Sequence, residues 1–122
     1  MAKILIVDDE EGLRELYRME LTAEGYEVLL ASNGREAMEL LQAQPPDAVV
    51  MDIRMPEMDG IEALGKVVAR HKQIPIIINT AYPRYQDDFR SWAADAYVVK
   101  SSDLTGLKRA LRDVLQKAPR TP

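Results

Sequence analysis

The chain has 122 residues, one domain by length, and its 47% hydrophobic and 30% charged composition is that of an ordinary globular protein. A net charge of −4 and a pI near 5.0 argue against direct nucleic-acid binding by this domain. Cysteine is absent and His71 is the single histidine, which excludes disulfides, thiol chemistry and a His-cluster metal site. The chain has no apolar run near 20 residues and no basic-then-apolar start, so no membrane span or secretory signal is expected and the cytoplasm is the expected compartment.

In chain order, Lys3-Ile4-Leu5-Ile6-Val7 is a continuous β-branched run that suits a strand buried on both faces, and it ends at Asp8-Asp9. From about Glu10 to Glu24 the period becomes helical, with Leu13, Leu16, Tyr17 and Leu21 on one face and Gly25 as the stop. Glu27–Ala31 is a second strand. Asn33 and Glu36 make a capping-box-like pair for a helix that ends before Pro45-Pro46. Asp47–Asp52 is a third strand, an apolar run closing on a carboxylate. After Met55-Pro56-Glu57-Met58-Asp59-Gly60 a third helix runs inward on Ile61, Leu64 and Val68 to about His71. Pro75–Asn79 is a fourth strand with Thr80 at its end. Tyr85, Phe89 and Trp92 mark a short fourth helix, and Ala96–Val99 a fifth strand ending at Lys100. A fifth helix runs from about Asp103 through Leu104, Leu107, Leu111 and Val114.

Strict alternation of five short apolar strands with helices predicts an α/β fold, a parallel sheet covered on both faces with right-handed crossovers. Of the common doubly wound orders, the flavodoxin-like 2-1-3-4-5 fits five strands, a (βα)5 three-layer sandwich. In that order the binding crevice lies beyond the strand ends, between the first and third strands. Asp8-Asp9, Asp52, Thr80 and Lys100 then share one edge of the sheet. Three carboxylates at close quarters repel unless a positive charge sits among them. All-oxygen ligands suit a hard divalent cation, Mg²⁺, or Mn²⁺ in its place. With Lys100 as a second positive charge, such a site accepts a phosphoryl group, and a carboxylate can itself be the nucleophile. Taken singly, each residue has a plainer role: a helix N-terminus for Asp8 and Asp9, a cap or turn for Asp52, a strand-end hydroxyl for Thr80, a surface lysine for Lys100. Their convergence on one end of four strands is what weakens those plainer roles.

Over nearly its whole length the chain resembles a receiver domain of bacterial two-component response regulators. The motifs are Asp8-Asp9, Val50-Met51-Asp52, Met55 to Gly60, Thr80-Ala81 and Tyr97-Val98-Val99-Lys100, in this order and spacing. The resemblance implies a receiver domain over 1–117 and a flexible tail or linker stub at 118–122. It implies that Asp52 is the phosphoacceptor, taking its phosphoryl group from a sensor histidine kinase or phosphotransfer protein. Asp8 and Asp9, with Asp52 and the backbone carbonyl of Arg54, would hold the metal, and Lys100 would contact the phosphoryl group. Thr80 would move toward that group and Tyr97 would rotate inward. That couples the site to the face of the fourth helix, fifth strand and fifth helix, a surface for partners or a phosphorylation-dependent homodimer. Arg54 and Tyr82 would modulate the phosphoryl lifetime, and bulk at both predicts slow self-dephosphorylation. The chain would thus catalyse its own phosphorylation and dephosphorylation without a separate substrate. Ser101 stands where the family usually has proline, and Pro83 follows Tyr82 in a loop that usually moves. Three alternatives stand beside this reading: a flavin- or nucleotide-binding module, a metal-dependent phosphatase, and a receiver-like interaction module not controlled by phosphorylation. The acidic Asp8–Glu11 loop speaks against the first, the length against the second, and the complete acidic set against the third.

Overall fold

Residues Lys3–Val7 (β1), Glu27–Ala31 (β2), Ala48–Met51 (β3), Ile76–Thr80 (β4) and Ala96–Val99 (β5) form one sheet. The computed structural model describes residues 1–52, 74–81 and 95–117. The strand order is β2-β1-β3-β4-β5 and every pairing is parallel, the predicted flavodoxin-like arrangement. The helices described are α1 (Glu11–Ala23), α2 (Gly34–Ala43) and a C-terminal helix (Thr105–Lys117). The third and fourth predicted helices, Met55 to Gly60, His71, Pro83, the Tyr85, Phe89 and Trp92 stripe and the tail 118–122 lie outside the described residues.

Local chemistry sets the element ends. Helix α1 closes on Gly25, whose φ of 97° is left-handed. Gly25 N–H donates to Thr22 O (3.0 Å) and Tyr26 N–H to Leu21 O (3.1 Å), the paired bonds of a Schellman motif. Helix α2 opens on Asn33, whose side chain accepts from Glu36 N–H at 2.9 Å. The reciprocal half of the predicted box is shifted by one residue: Glu36 Oε1 accepts from the N–H and hydroxyl of Ser32, not from Asn33. The third strand is one residue shorter than predicted at each end, although the N–H groups of both flanking aspartates still donate to β1, that of Asp47 to Lys3 O at 2.7 Å. Asp47 turns its carboxylate back to accept from Lys3 N–H (2.7 Å), and Asp52 lies just past Met51. The fourth strand takes in Thr80, and the last helix starts two residues late. Asp103 Oδ1 instead accepts from Thr105 N–H and the Thr105 hydroxyl, a turn that leads into the helix.

Alternation along the strands divides the core into two layers. On one face Ile4, Ile6, Val50 and Ile77 pack with Tyr17 and Leu21 of α1 and with Leu107, Leu111 and Val114 of the C-terminal helix. On the other, Leu5, Val7, Val49, Met51, Ile76 and Ile78 pack with Ala37 and Leu41 of α2. All four residues of β3 are buried. At about 1.5–3 kcal/mol for each large aliphatic side chain removed from water, the central strands carry much of the stability. They therefore make a rigid base for whatever stands at their ends.

Candidate functional site

The ladders run one residue past β1 and β3. Asp8 N–H donates to Ala31 O (3.1 Å) and Asp52 N–H to Val7 O (2.8 Å). Since Val7 pairs with Met51, Asp8 and Asp52 leave the sheet side by side on neighbouring strands. Lys100 N–H donates to Thr80 O at 2.7 Å, so β5 is held to β4 at the same edge. The Lys100 ammonium reaches back across the strand ends, 2.9 Å from Asp52 Oδ2 and 3.0 Å from Asp8 Oδ2. The side chains of Asp8, Asp52 and Lys100 are only 1%, 6% and 14% exposed, so this is a largely desolvated triad. Sheet order thus brings together residues 8, 52 and 100, as the sequence predicts. The second contact of Lys100, to Asp8, was not foreseen.

Burial raises the Asp52 carboxyl above its ordinary value, and the nearby Lys100 pulls it back only partly. Burial also works against the Lys100 ammonium, but its hydrogen bond to Asp52 and its ion pair with Asp8 prevail and its pKa is raised. The lysine is a fixed positive charge, and the carboxylate beside it is destabilised enough to favour a partner of higher charge.

Around Asp8 the β1–α1 loop is tied down. Asp8 Oδ1 accepts from Glu10 N–H (2.9 Å), and Arg14 Nη1 donates to the Asp8 carbonyl (2.7 Å). Asp8 Oδ2 is buried and has no aligned hydrogen bond, although Lys100 stands close. Carboxylate oxygens of Asp8, Asp9 and Glu10 lie within 4.8 Å of one another. An all-oxygen donor set of this kind fits a hard divalent cation. Glu10 joins this group beyond the predicted ligands, and its place in the run Asp8-Asp9-Glu10-Glu11 was the available signal. Arg54, whose carbonyl was the fourth predicted ligand, and Tyr82 lie outside the described residues.

Thr80 is fully buried at the end of β4, and Tyr97 is half-buried. Tyr97 packs against the α2-side core and pairs with Ile78, so alternation places Thr80 and Tyr97 on the same face of neighbouring strands. One polar contact had no sequence signal: Asn79 Nδ2 donates to the Tyr17 hydroxyl at 3.1 Å, both side chains buried.

A parallel 2-1-3-4-5 sheet with acids and a lysine at its switch-point edge defines a doubly wound, flavodoxin-like α/β protein with a charged cluster at that edge. Residues 4–112 match the model of the response regulator receiver domain, and the chain belongs to that family. It is 41% identical to the regulatory protein AtoC of Escherichia coli over 117 residues, 93% of this chain and 25% of AtoC. It is 36% identical to the response regulator MprA of Mycolicibacterium vanbaalenii, over 94% of this chain and 51% of MprA. The chain therefore spans about half or less of these curated relatives. Among solved structures it is similar to the response regulator TrrA of Thermotoga maritima in complex with Mg²⁺-BeF. That match has 44% identity and a TM-score of 0.85, and covers 93% of this chain and 99% of TrrA. TrrA bound to the histidine kinase ThkA matches with a TM-score of 0.83 at the same identity, over 94% of this chain and 99% of TrrA. Among the described residues, no helix is long and apolar enough to cross a membrane.

Proposed function

We propose that this chain is a phosphorylation-controlled signalling switch in which Asp52 accepts a phosphoryl group from a phosphohistidine of a sensor kinase or phosphotransfer protein. The observation that carries this is the buried Asp52–Lys100–Asp8 triad at the end of the central strands. An oxygen of Asp52 attacks phosphorus, the P–N bond to the donor histidine breaks, and the imidazole leaves with the electron pair. Lys100 stands where it can neutralise a phosphoryl oxygen, and Thr80 can hydrogen-bond another. Asp8, Asp9 and the Arg54 carbonyl, with Asp52, would hold Mg²⁺ or Mn²⁺, which when bound draws charge from the phosphoryl oxygens. The crystallised complexes of TrrA with Mg²⁺-BeF and with a histidine kinase support both the metal and the donor class.

The switch itself is a change of population between two states, biased by one modification. Thr80 moves to the phosphoryl group and Tyr97 takes up the space it leaves, which alters the face carried by β5 and its flanking helices. That face serves protein partners or a second copy of the chain. Val99 is 46% exposed on it. Arg54 and Tyr82 shield the acyl phosphate and lengthen its life. The switch unit is residues 1–117, since the C-terminal helix continues past the matched segment to Lys117, and 118–122 serve as a tail or a linker stub.

Incubation with Mg²⁺ and acetyl phosphate tests this directly. Intact mass rises by one phosphoryl group in the wild-type chain and stays unchanged in Asp52→Asn. A wild-type chain that gains no mass refutes the assignment.

A further inference from the structure

The triad accounts for three strand ends, but a fourth polar side chain stands in the same row. Met51 pairs with Ile78, so one step further along the two strands Asp52 lies beside Asn79. Across β1, β3 and β4 the row reads Asp8, Asp52, Asn79, with neighbouring strands about 4.8 Å apart. Alternation puts all three on the face that packs against α1, the face of Ile6, Val50 and Ile77. Lys100, two residues beyond Val98 on β5, reaches Asp52 and Asp8 from the far side of this row.

Asn79 is thus a buried N–H donor next to a buried carboxylate, yet it does not donate to it. Its Nδ2 points to the hydroxyl of Tyr17 on α1, at 3.1 Å. Tyr17 is 2% exposed and Asn79 3%. Burial raises the pKa of the Tyr17 phenol, and the charges of Lys100, Asp8 and Asp52 reach it, which places the hydroxyl in the electrostatic range of the triad. A second buried carboxylate oxygen stands nearby, Asp8 Oδ2, which faces the Lys100 ammonium at 3.0 Å.

We propose that Tyr17 is a positioning residue that holds the Asn79 amide away from Asp52 and Asp8, leaving these carboxylates to the Lys100 ammonium. Without the hydroxyl, a buried amide donor has no partner, and leaving it unsatisfied is costly. The neighbouring carboxylate is the strongest acceptor in reach. The amide turns to it, competes with Lys100 and draws electron density from the nucleophilic oxygen. Tyr17 therefore acts through Asn79 and touches no reacting atom.

The inference rests on the proposed phosphoryl acceptance, so its test has one arm that needs no phosphoryl donor. In NMR spectra of the full chain, the Asn79 side-chain amide protons of the wild type exchange slowly. In Tyr17→Phe their resonances move, and the Lys100 Nζ resonance moves with them. With acetyl phosphate and Mg²⁺, Tyr17→Phe lowers the maximal rate of phosphoryl uptake about tenfold, the size expected for disturbing one charge-assisted contact, while the half-saturating donor concentration stays the same. The double variant Tyr17→Phe/Asn79→Val removes the freed donor as well and returns the rate to within about twofold of wild type, since removing both partners is nearly neutral. A rate in Tyr17→Phe equal to wild type overturns the proposal, and so does a double variant as slow as the single one. Should Tyr17→Phe not fold, Asn79→Val alone decides: an unchanged rate supports the role, and a tenfold loss overturns it. A wild-type chain that takes up no phosphoryl group defeats the switch assignment, while an unmoved Lys100 resonance in Tyr17→Phe defeats the positioning role.

Discussion

The two faces of this sheet are built from the same kinds of aliphatic residues and end differently. Toward α1 and the C-terminal helix, the runs through Ile6, Val50, Ile77 and Val98 finish in Asp8, Asp52, Asn79 and Lys100. Toward α2, the run through Ile78 is followed by Thr80, with Tyr97 alongside on β5. On β4 and β5 one face ends in an amide and an ammonium, the other in a hydroxyl and an aromatic ring. Because side chains alternate, a slip of one residue in any strand would exchange these endings. Strand length therefore decides which side does the proposed chemistry and which side responds, and the shared backbone edge is the only thing they must have in common.

The largest effect expected from this division is all-or-none. Asp52→Asn takes up no phosphoryl group from acetyl phosphate, whereas Thr80→Val still does but shows no change in the Tyr97 ring resonances when beryllofluoride is added. If both variants fail to take up phosphate, the division between the faces is wrong. Next in size come the two core layers. Leu111→Ala on the first face and Leu41→Ala on the second each lower the unfolding free energy by about 2–5 kcal/mol in urea titrations, because each removes a buried side chain and leaves a cavity. A loss confined to one of them would show that one layer merely decorates the other.

The smallest effect is a slope with pH, read in EDTA so that no metal contributes. Burial raises the pKa of Asp52, so the folded chain binds that proton more tightly than the unfolded chain. Stability from this group therefore falls as pH rises from the ordinary carboxylate value of 3.8 through the raised folded value. Asp52→Asn has no such proton to lose. Its urea midpoint lies above that of wild type at pH 7, and the gap narrows toward pH 4. A gap that widens toward pH 4 would mean that Lys100 dominates the Asp52 carboxyl.

Much of this was legible in the chain itself, for identifiable reasons. β1 and β5 match the predicted Lys3–Val7 and Ala96–Val99, because short apolar runs flanked by charged residues leave little choice of ends. The meeting of Asp8, Asp52 and Lys100 followed from strand order alone. What escaped were features set by register and reach. Asp52 beside Asn79 depends on how β3 is shifted against β4, and the Asn79 amide bond to Tyr17 crosses 62 residues of sequence. Tyr17 read as one more apolar position because helical spacing does not reveal where a hydroxyl points. The displacement of the Glu36 contact to Ser32 was invisible for a similar reason, since spacing shows which residues can meet but not which backbone N–H is met.

Lys100 is fastened at its root by a backbone bond and at its tip by two carboxylates. Its main chain is locked to β4 through the bond to Thr80 O, and its ammonium hangs on side-chain torsions between two acceptors. Exchange of the ammonium from Asp8 to a newcomer on Asp52 needs only rotamer changes and no backbone step. Displacement of Thr80 or of a whole strand end belongs to microseconds or longer. Charge at the strand ends can thus be neutralised by a side-chain rearrangement alone, with no change of backbone shape.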